Sequence, residues 1–136
     1  EELPCAKATD GGVCSSPILF EDSIIIPGLT PDVGLRALDK ATGKLKWEQK
    51  TKVRSTMATP AIITVDGKKQ LIHNAGGIQA LDPATGELLW SCKAEATQSS
   101  PVFGRGLLYV DHGRGGKTGT AIDPTGKGDV TATHVK

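Results

Sequence analysis

A chain of 136 residues has room for one domain, or for part of a larger one, and a globule of this size hides roughly two thirds of the surface its unfolded chain exposes. Sixteen Lys and Arg against fifteen Asp and Glu leave a net charge of +1, and apolar runs such as Ile24-Ile25-Ile26 fall far short of a membrane span, so neither nucleic-acid binding nor membrane insertion is expected. With 17 Gly and 8 Pro the chain must turn often, and with Phe20, Trp47, Trp90, Phe103 and Tyr109 as its aromatics the core must come from Ile, Leu, Val and Ala.

In chain order the segments read as short strands parted by turn residues, with no window that sustains a helical period. Residues 1–13 read as a connection from a preceding unit. Pro17 to Phe20 is a strand, Glu21-Asp22-Ser23 a turn, Ser23 to Ile26 a second strand, Leu35 to Leu38 a third, and Lys44 to Trp47 a fourth, on which Leu45 and Trp47 are expected to share one face. The pattern returns as Ala61 to Val65, the Asp66-Gly67 turn, Gln70 to His73, Ile78 to Leu81, and Leu88 to Trp90. It returns again as Val102-Phe103, Gly104-Arg105-Gly106, Leu107 to Val110, and Thr120 to Ile122, after which no fourth strand is assigned; Thr131 to Lys136 reads as an unpaired tail and, like residues 1–14, as a candidate strand with no complete blade of its own.

This return is an internal repeat. A Ser-Pro or Thr-Pro step ends at Pro17, Pro60 and Pro101, spaced 43 and 41 residues apart, and an Asp follows each Pro at the same interval of 22, namely Asp39, Asp82 and Asp123. Around those Asp residues the text reads ALDKATGKLKW, ALDPATGELLW and AIDPTGKGDV. The third copy has one residue fewer before its Gly, with Val130 or Thr131 where the first two copies have Trp, so it is either a degenerate copy or one whose Trp lies beyond the end of the chain. The repeats run approximately 14–49, 57–92 and 98–133. Four strands at this period suit propeller blades, so the expected fold is all-β, about three four-stranded antiparallel sheets forming a partial β-propeller.

The repeated residues have physical roles. Asp39 and Asp82 can accept hydrogen bonds from backbone N–H groups two or three residues on, with Thr42 and Thr85 adding side-chain bonds. Gly43 and Gly86 supply the positive φ of a short hairpin exit. Trp47 and Trp90 then lie on outer strands, where the ring can cover a seam between blades and the N–H can reach a neighbouring carbonyl. Ala37, Ala80, Ala121, Asp123 and Gly126 complete the pattern.

Ala-x-Asp-x-x-x-Gly-x-x-x-Trp at blade period resembles the tryptophan-docking motif of the PQQ-like β-propellers, a family that includes quinoprotein alcohol dehydrogenases and the outer-membrane assembly lipoprotein of Gram-negative bacteria. The resemblance covers residues 14 to about 133 and implies a segment of a seven- or eight-bladed propeller and an exported, periplasmic setting. In the catalytic members, as the resemblance implies, PQQ lies between a Trp platform and a disulfide of adjacent cysteines, with Ca²⁺ held by Glu, Asn and Asp and an Asp as base. This sequence has no Cys-Cys pair, and Asp39, Asp82 and Asp123 all fall in docking turns. The expectation is therefore a non-catalytic scaffold or protein-interaction module with no cofactor. The alternative is a fragment of a PQQ-dependent dehydrogenase whose cofactor and Ca²⁺ residues lie outside the chain.

Other candidate features carry less. Cys5 and Cys14, nine residues apart across Gly11-Gly12, suit either the disulfide of an exported protein or two small residues in a loop, and Cys92 is left over. Asp111 to Thr118 nearly spells a phosphate loop, but strand and turn rather than a helix follow Thr118, so no nucleotide site is expected. The segment reads instead as an inter-strand loop at an end of the propeller, where His112, Arg114 and Lys117 are candidate contacts for an acidic protein partner. An open array of blades leaves an apolar face at each end, so the isolated chain is expected to self-associate, with one copy's terminal strand completing a blade of another or with end faces packed together, a six-bladed ring of two copies being the simplest closed form.

Overall fold

A computed structural model describes residues 15–30, 33–50, 58–74, 76–94, 99–111 and 119–136. Twelve strands and no helix occur among the described residues. Strands β1 (Ile18–Phe20), β2 (Ser23–Thr30), β3 (Val33–Asp39) and β4 (Leu45–Gln49) form the first blade as a four-stranded meander. The second contains β5 (Ala61–Val65), β6 (Lys68–Asn74), β7 (Ile78–Leu81) and β8 (Leu88–Cys92), and the third β9 (Val102–Gly104), β10 (Leu107–Val110) and β11 (Thr120–Ile122). The short strand β12 (Gly128–Asp129) leaves the third repeat and pairs in parallel with β8, so the middle sheet has five strands instead of the expected four.

The first hairpin of each blade turns at a residue held at positive φ: Glu21 at 51°, Asp66 at 48° and Arg105 at 52°. Gly67 and Gly106 follow at 75° and 78°, as a two-residue primed turn requires, because only such a turn matches the right-handed twist of the strands it joins.

Pairing registers reveal two side-chain rows on each blade. One row of blade one runs Ile18, Ile25, Ala37, Trp47, each residue opposite the next, and its counterpart in blade two runs Ala61, Ile72, Ala80, Trp90. The other face carries Leu19, Ile24, Leu38, Leu45 in blade one and Ile62, Leu71, Leu81, Leu88 in blade two. The core follows from stacking these faces. One cluster joins Ile25, Leu35, Ala37 and Trp47 of blade one to Leu71 and Leu81 of blade two. A second joins Ile72, Ile78, Ala80 and Trp90 of blade two to Leu108, Val110 and Ile122 of blade three. Blade two is thus covered on both sides, which is why β6 is buried from Gln70 through Asn74 without alternation.

Two expectations fail here. Leu45 and Trp47 do not share a face, because the register shifts between Ala37 and Leu38: Trp47 pairs with Ala37 but Leu45 pairs with Leu38. The bulge at Lys46 rotates the strand by one position, leaving Leu45 56% exposed and Trp47 9% exposed, and the same shift recurs between Ala80 and Leu81. Nor is the tail from Thr131 to Lys136 unpaired. Val135 bridges to Ile122, the Asp123 N–H donates to the His134 carbonyl and the Lys136 N–H to the Ala121 carbonyl, so the tail supplies the start of the third blade's outer strand. In the first two repeats the Trp stands two positions after the residue paired with Leu38 or Leu81, so neither Val130 nor Thr131 occupies the tryptophan position.

Candidate functional site

The three Asp residues of the repeat build their turns in closely similar ways. The Asp39 carboxylate accepts from the Ala41 N–H at 3.1 Å, the Thr42 N–H at 2.7 Å and the Thr42 hydroxyl at 2.8 Å. Asp82 accepts from the N–H groups of Ala84 at 2.8 Å and Thr85 at 3.2 Å, and Asp123 from the Thr125 N–H at 3.1 Å and hydroxyl at 2.7 Å. Donation by Thr42, and by Thr125 in its own turn, holds the Asp39 and Asp123 carboxyls below the usual carboxylate range. In the first two repeats the backbone closes identically, the N–H of Gly43 or Gly86 bonding to the carbonyl of Asp39 or Asp82 at 2.8 Å, with φ of 70° and 78°. Gly126 is not at positive φ; Gly128 takes that conformation, at 68°, because the third turn is one residue shorter before its first Gly.

These turns are seats for the neighbouring blade. The Trp47 ring lies on Gly86, where an added Cβ would stand 2.6 Å from the ring, and its N–H donates to the Pro83 carbonyl at 3.2 Å. At Gly43 an added Cβ would meet nothing within 4 Å. At Gly126 it would meet Val130 at 2.5 Å and His134 at 2.8 Å, so the third seat is filled from within its own repeat. Trp90, fully buried, reaches blade three indirectly: its N–H donates to Gln70 Oε1 at 2.9 Å, and Gln70 Nε2 donates to the Pro124 carbonyl at 3.2 Å. Ala37 and Ala80, fully buried opposite the two Trp residues, leave the space that the indoles fill. Ala121 occupies the same register position on β11.

Gln70 was not legible as part of this joint, since its role depends on which blade face β6 presents. A second fastener carries its signal in the sequence. The residue before each repeated Pro is Ser16, Thr59 or Ser100, and the Ser16 N–H donates to the Thr59 hydroxyl at 3.0 Å while the Thr59 N–H donates to the Ser100 hydroxyl at 3.1 Å. The Ser-Pro and Thr-Pro steps therefore latch the blades in series beside their first strands.

Two faces of the array have no blade against them among the described residues. On blade one, Leu19 is 70% exposed and heads the row through Ile24 and Leu38 to Leu45. On blade three, Val102 at 64% and Tyr109 at 44% are exposed in a row with Ala121, beside a hollow of about 500 Å³ that Ser100 and Lys136 also line. Within blade two, His73 is buried and desolvation pulls its pKa down to about 4, with Nδ1 unpartnered among the described residues. Cys92 is buried in the second cluster. His112, Arg114 and Lys117, and the pair Cys5 and Cys14, lie outside the described residues.

Blades of meandering strands, joined by tryptophans seated on Asp-to-Gly turns, define a partial β-propeller of the PQQ-like repeat class. The family model described as "Outer membrane protein assembly factor BamB" matches residues 6–130, and the chain belongs to that family. No curated protein matches the sequence significantly. Among solved structures, BamB from Moraxella catarrhalis is similar at 20% identity and a TM-score of 0.60, over 86% of this chain and 35% of that one. The quinohemoprotein alcohol dehydrogenase ADHIIG from Pseudomonas putida HK5 is similar at 22% identity and a TM-score of 0.57, over 86% of this chain and 20% of that one. At these identities the likeness is one of fold, and the chain spans about a third and a fifth of the two proteins.

Proposed function

We propose that this chain is a non-catalytic, rigid scaffold for protein partners, a segment of a propeller in an exported, periplasmic setting. The observation that carries the reading is the use made of the repeated Asp residues. Each carboxylate is occupied by N–H groups of its own turn, and by a Thr hydroxyl at Asp39 and Asp123, which suits a structural role better than that of a base. The family's description as an assembly factor supports a protein partner, and His112, Arg114 and Lys117 remain the proposed contacts for an acidic one. The likeness to a quinohemoprotein dehydrogenase keeps a second reading, a piece of a PQQ enzyme whose cofactor residues lie elsewhere. Calorimetric titration with PQQ and Ca²⁺ separates the two: no saturable heat is expected, and a micromolar site overturns the scaffold reading.

Self-association of the isolated chain is part of the same proposal. The exposed rows through Leu19 on blade one and Tyr109 on blade three are the counterparts of faces that pack together inside the chain, so stacking blade three of one copy on blade one of another repeats a contact already made twice. Light scattering over a concentration series should show a mass that rises with concentration, and a monomer that persists at high micromolar concentration refutes this.

A further inference from the structure

The outer strands β4 and β8 are near copies. Each has five residues and a bulge before its Trp, and each is followed by a lysine three positions after that Trp, Lys50 or Lys93. Their free edges are treated differently. On β8 the edge is covered in parallel: Gly128 lies opposite Trp90 and Asp129 opposite Ser91, and the Val130 N–H donates to the Ser91 carbonyl at 2.8 Å. The Lys93 N–H donates to the Thr131 hydroxyl at 3.0 Å, and the Lys93 ammonium lies 3.4 Å from the Asp129 carboxylate. The covering segment exists because thirteen positions separate the paired residues Ile122 and Val135, where seven separate Leu81 from Leu88 and Leu38 from Leu45. Repeat two has no such insertion to lay across β4, which ends its sheet with nothing paired to its outer side among the described residues.

We propose that the outer edge of β4, from Trp47 to Lys50, is a β-augmentation site for an acidic extended segment of a protein partner, pairing in parallel as Gly128–Asp129 pairs with β8. This deepens the scaffold reading by naming a surface and the chemistry of its occupant. An unpaired edge presents a row of backbone donors and acceptors that an incoming strand can satisfy. Glu48 holds the place of Ser91, so its carbonyl is the acceptor for the incoming N–H, and Lys50 holds the place of Lys93. The charge at this edge selects the occupant. Glu48 is paired with Arg36 and Lys46 with Asp22, whereas Lys44 and Lys50 have no ion partner among the described residues, leaving a positive balance. The matching segment carries an Asp or Glu that reaches Lys50 and, two residues later, a hydroxyl for the Lys50 N–H.

The chain supplies its own probe, the peptide Gly-Lys-Gly-Asp-Val-Thr-Ala copied from residues 126–132. Amide exchange followed by NMR on the full chain should show the Lys93 amide protected and the Glu48 and Lys50 amides open, with added peptide protecting Glu48 and Lys50. N-methylating the peptide's valine removes the N–H that meets the Glu48 carbonyl and should abolish this protection. Reversing Lys50→Glu should weaken binding by about two- to fivefold, the range for an exposed ion pair. Protection of Glu48 and Lys50 in the free, dilute chain overturns the proposal, because the edge is then already covered. Protection that rises with chain concentration assigns the edge to a second copy and overturns it too, as does undiminished binding of the methylated peptide, which makes the attraction one of charge alone. None of these outcomes bears on the PQQ titration, so the scaffold reading stands or falls separately.

Discussion

Replacing Gly43 or Gly86 by alanine imposes nearly the same backbone strain in two seats that differ in what lies above them. Both residues sit at positive φ, 70° and 78°, where a Cβ costs about 1–2 kcal/mol. At Gly43 that is the whole effect, since the new methyl meets nothing within 4 Å. At Gly86 the methyl would stand 2.6 Å from the Trp47 ring, and the ring cannot yield freely because its N–H is held by the Pro83 carbonyl. Overpacking of a buried contact costs a further ~1–3 kcal/mol, so Gly86→Ala should lose about 2–5 kcal/mol in total. Urea denaturation with linear extrapolation measures both variants. In a Trp47→Leu background the Gly86→Ala penalty should fall to the size of the Gly43→Ala penalty, because only the strain is left. Equal penalties at the two glycines, or a Gly86 penalty that persists without the indole, would refute the seating of one blade's tryptophan on the next blade's turn.

Other outcomes follow from the same contacts. Trp90→Ala should cost on the order of 3–5 kcal/mol in the same denaturation series, the range for a fully buried aromatic. Gln70→Leu should cost about 1–3 kcal/mol despite its similar size, because it strips partners from the Trp90 N–H and the Pro124 carbonyl. His73 is neutral in the folded chain down to a pKa of about 4 but protonates near 6.5 when unfolded, so its contribution is complete above pH 6.5 and is lost as the pH falls from there towards 4. The loss should approach ~3 kcal/mol, and a His73→Leu variant measured between pH 7 and 4 should show a flatter slope. Asp39 and Asp123, whose carboxyls are lowered, favour folding above the ordinary carboxylate range and lose that contribution only as the pH falls below 3.8, a window separate from that of His73 and visible in the Leu variant.

Local chemistry was legible and pairing between distant segments was not. The hairpin around Asp66-Gly67 and the strands Ala61–Val65 and Ile78–Leu81 emerge from the sequence at their observed bounds, because turn residues and β-branched runs act within a few positions. The Asp-to-Gly turns were legible for the same reason. The bulge at Lys46 was not, since it is a property of the register between two strands, and strict alternation put Leu45 on the wrong face. The parallel pairing of Gly128–Asp129 with β8 was also hidden: two residues carry no period, and their partner lies nearly forty positions upstream. Gln70 read as one more polar strand residue until blade three supplied the carbonyl it bonds.

The latch beside the first strands has a sense of direction. Ser16 gives its N–H to Thr59 and Thr59 gives its own to Ser100, so among the described residues the series starts with a Ser16 hydroxyl that accepts from nothing and stops at a Ser100 N–H with no acceptor. If copies of the isolated chain associate through this series, they join tail to head, as polar subunits do in a filament, and the turn between blades decides whether the line closes. If three blades sweep half a circle, two copies shut into a ring and growth stops. If they sweep some other angle that never returns to the start, the same hydroxyls and N–H groups would add copies without limit.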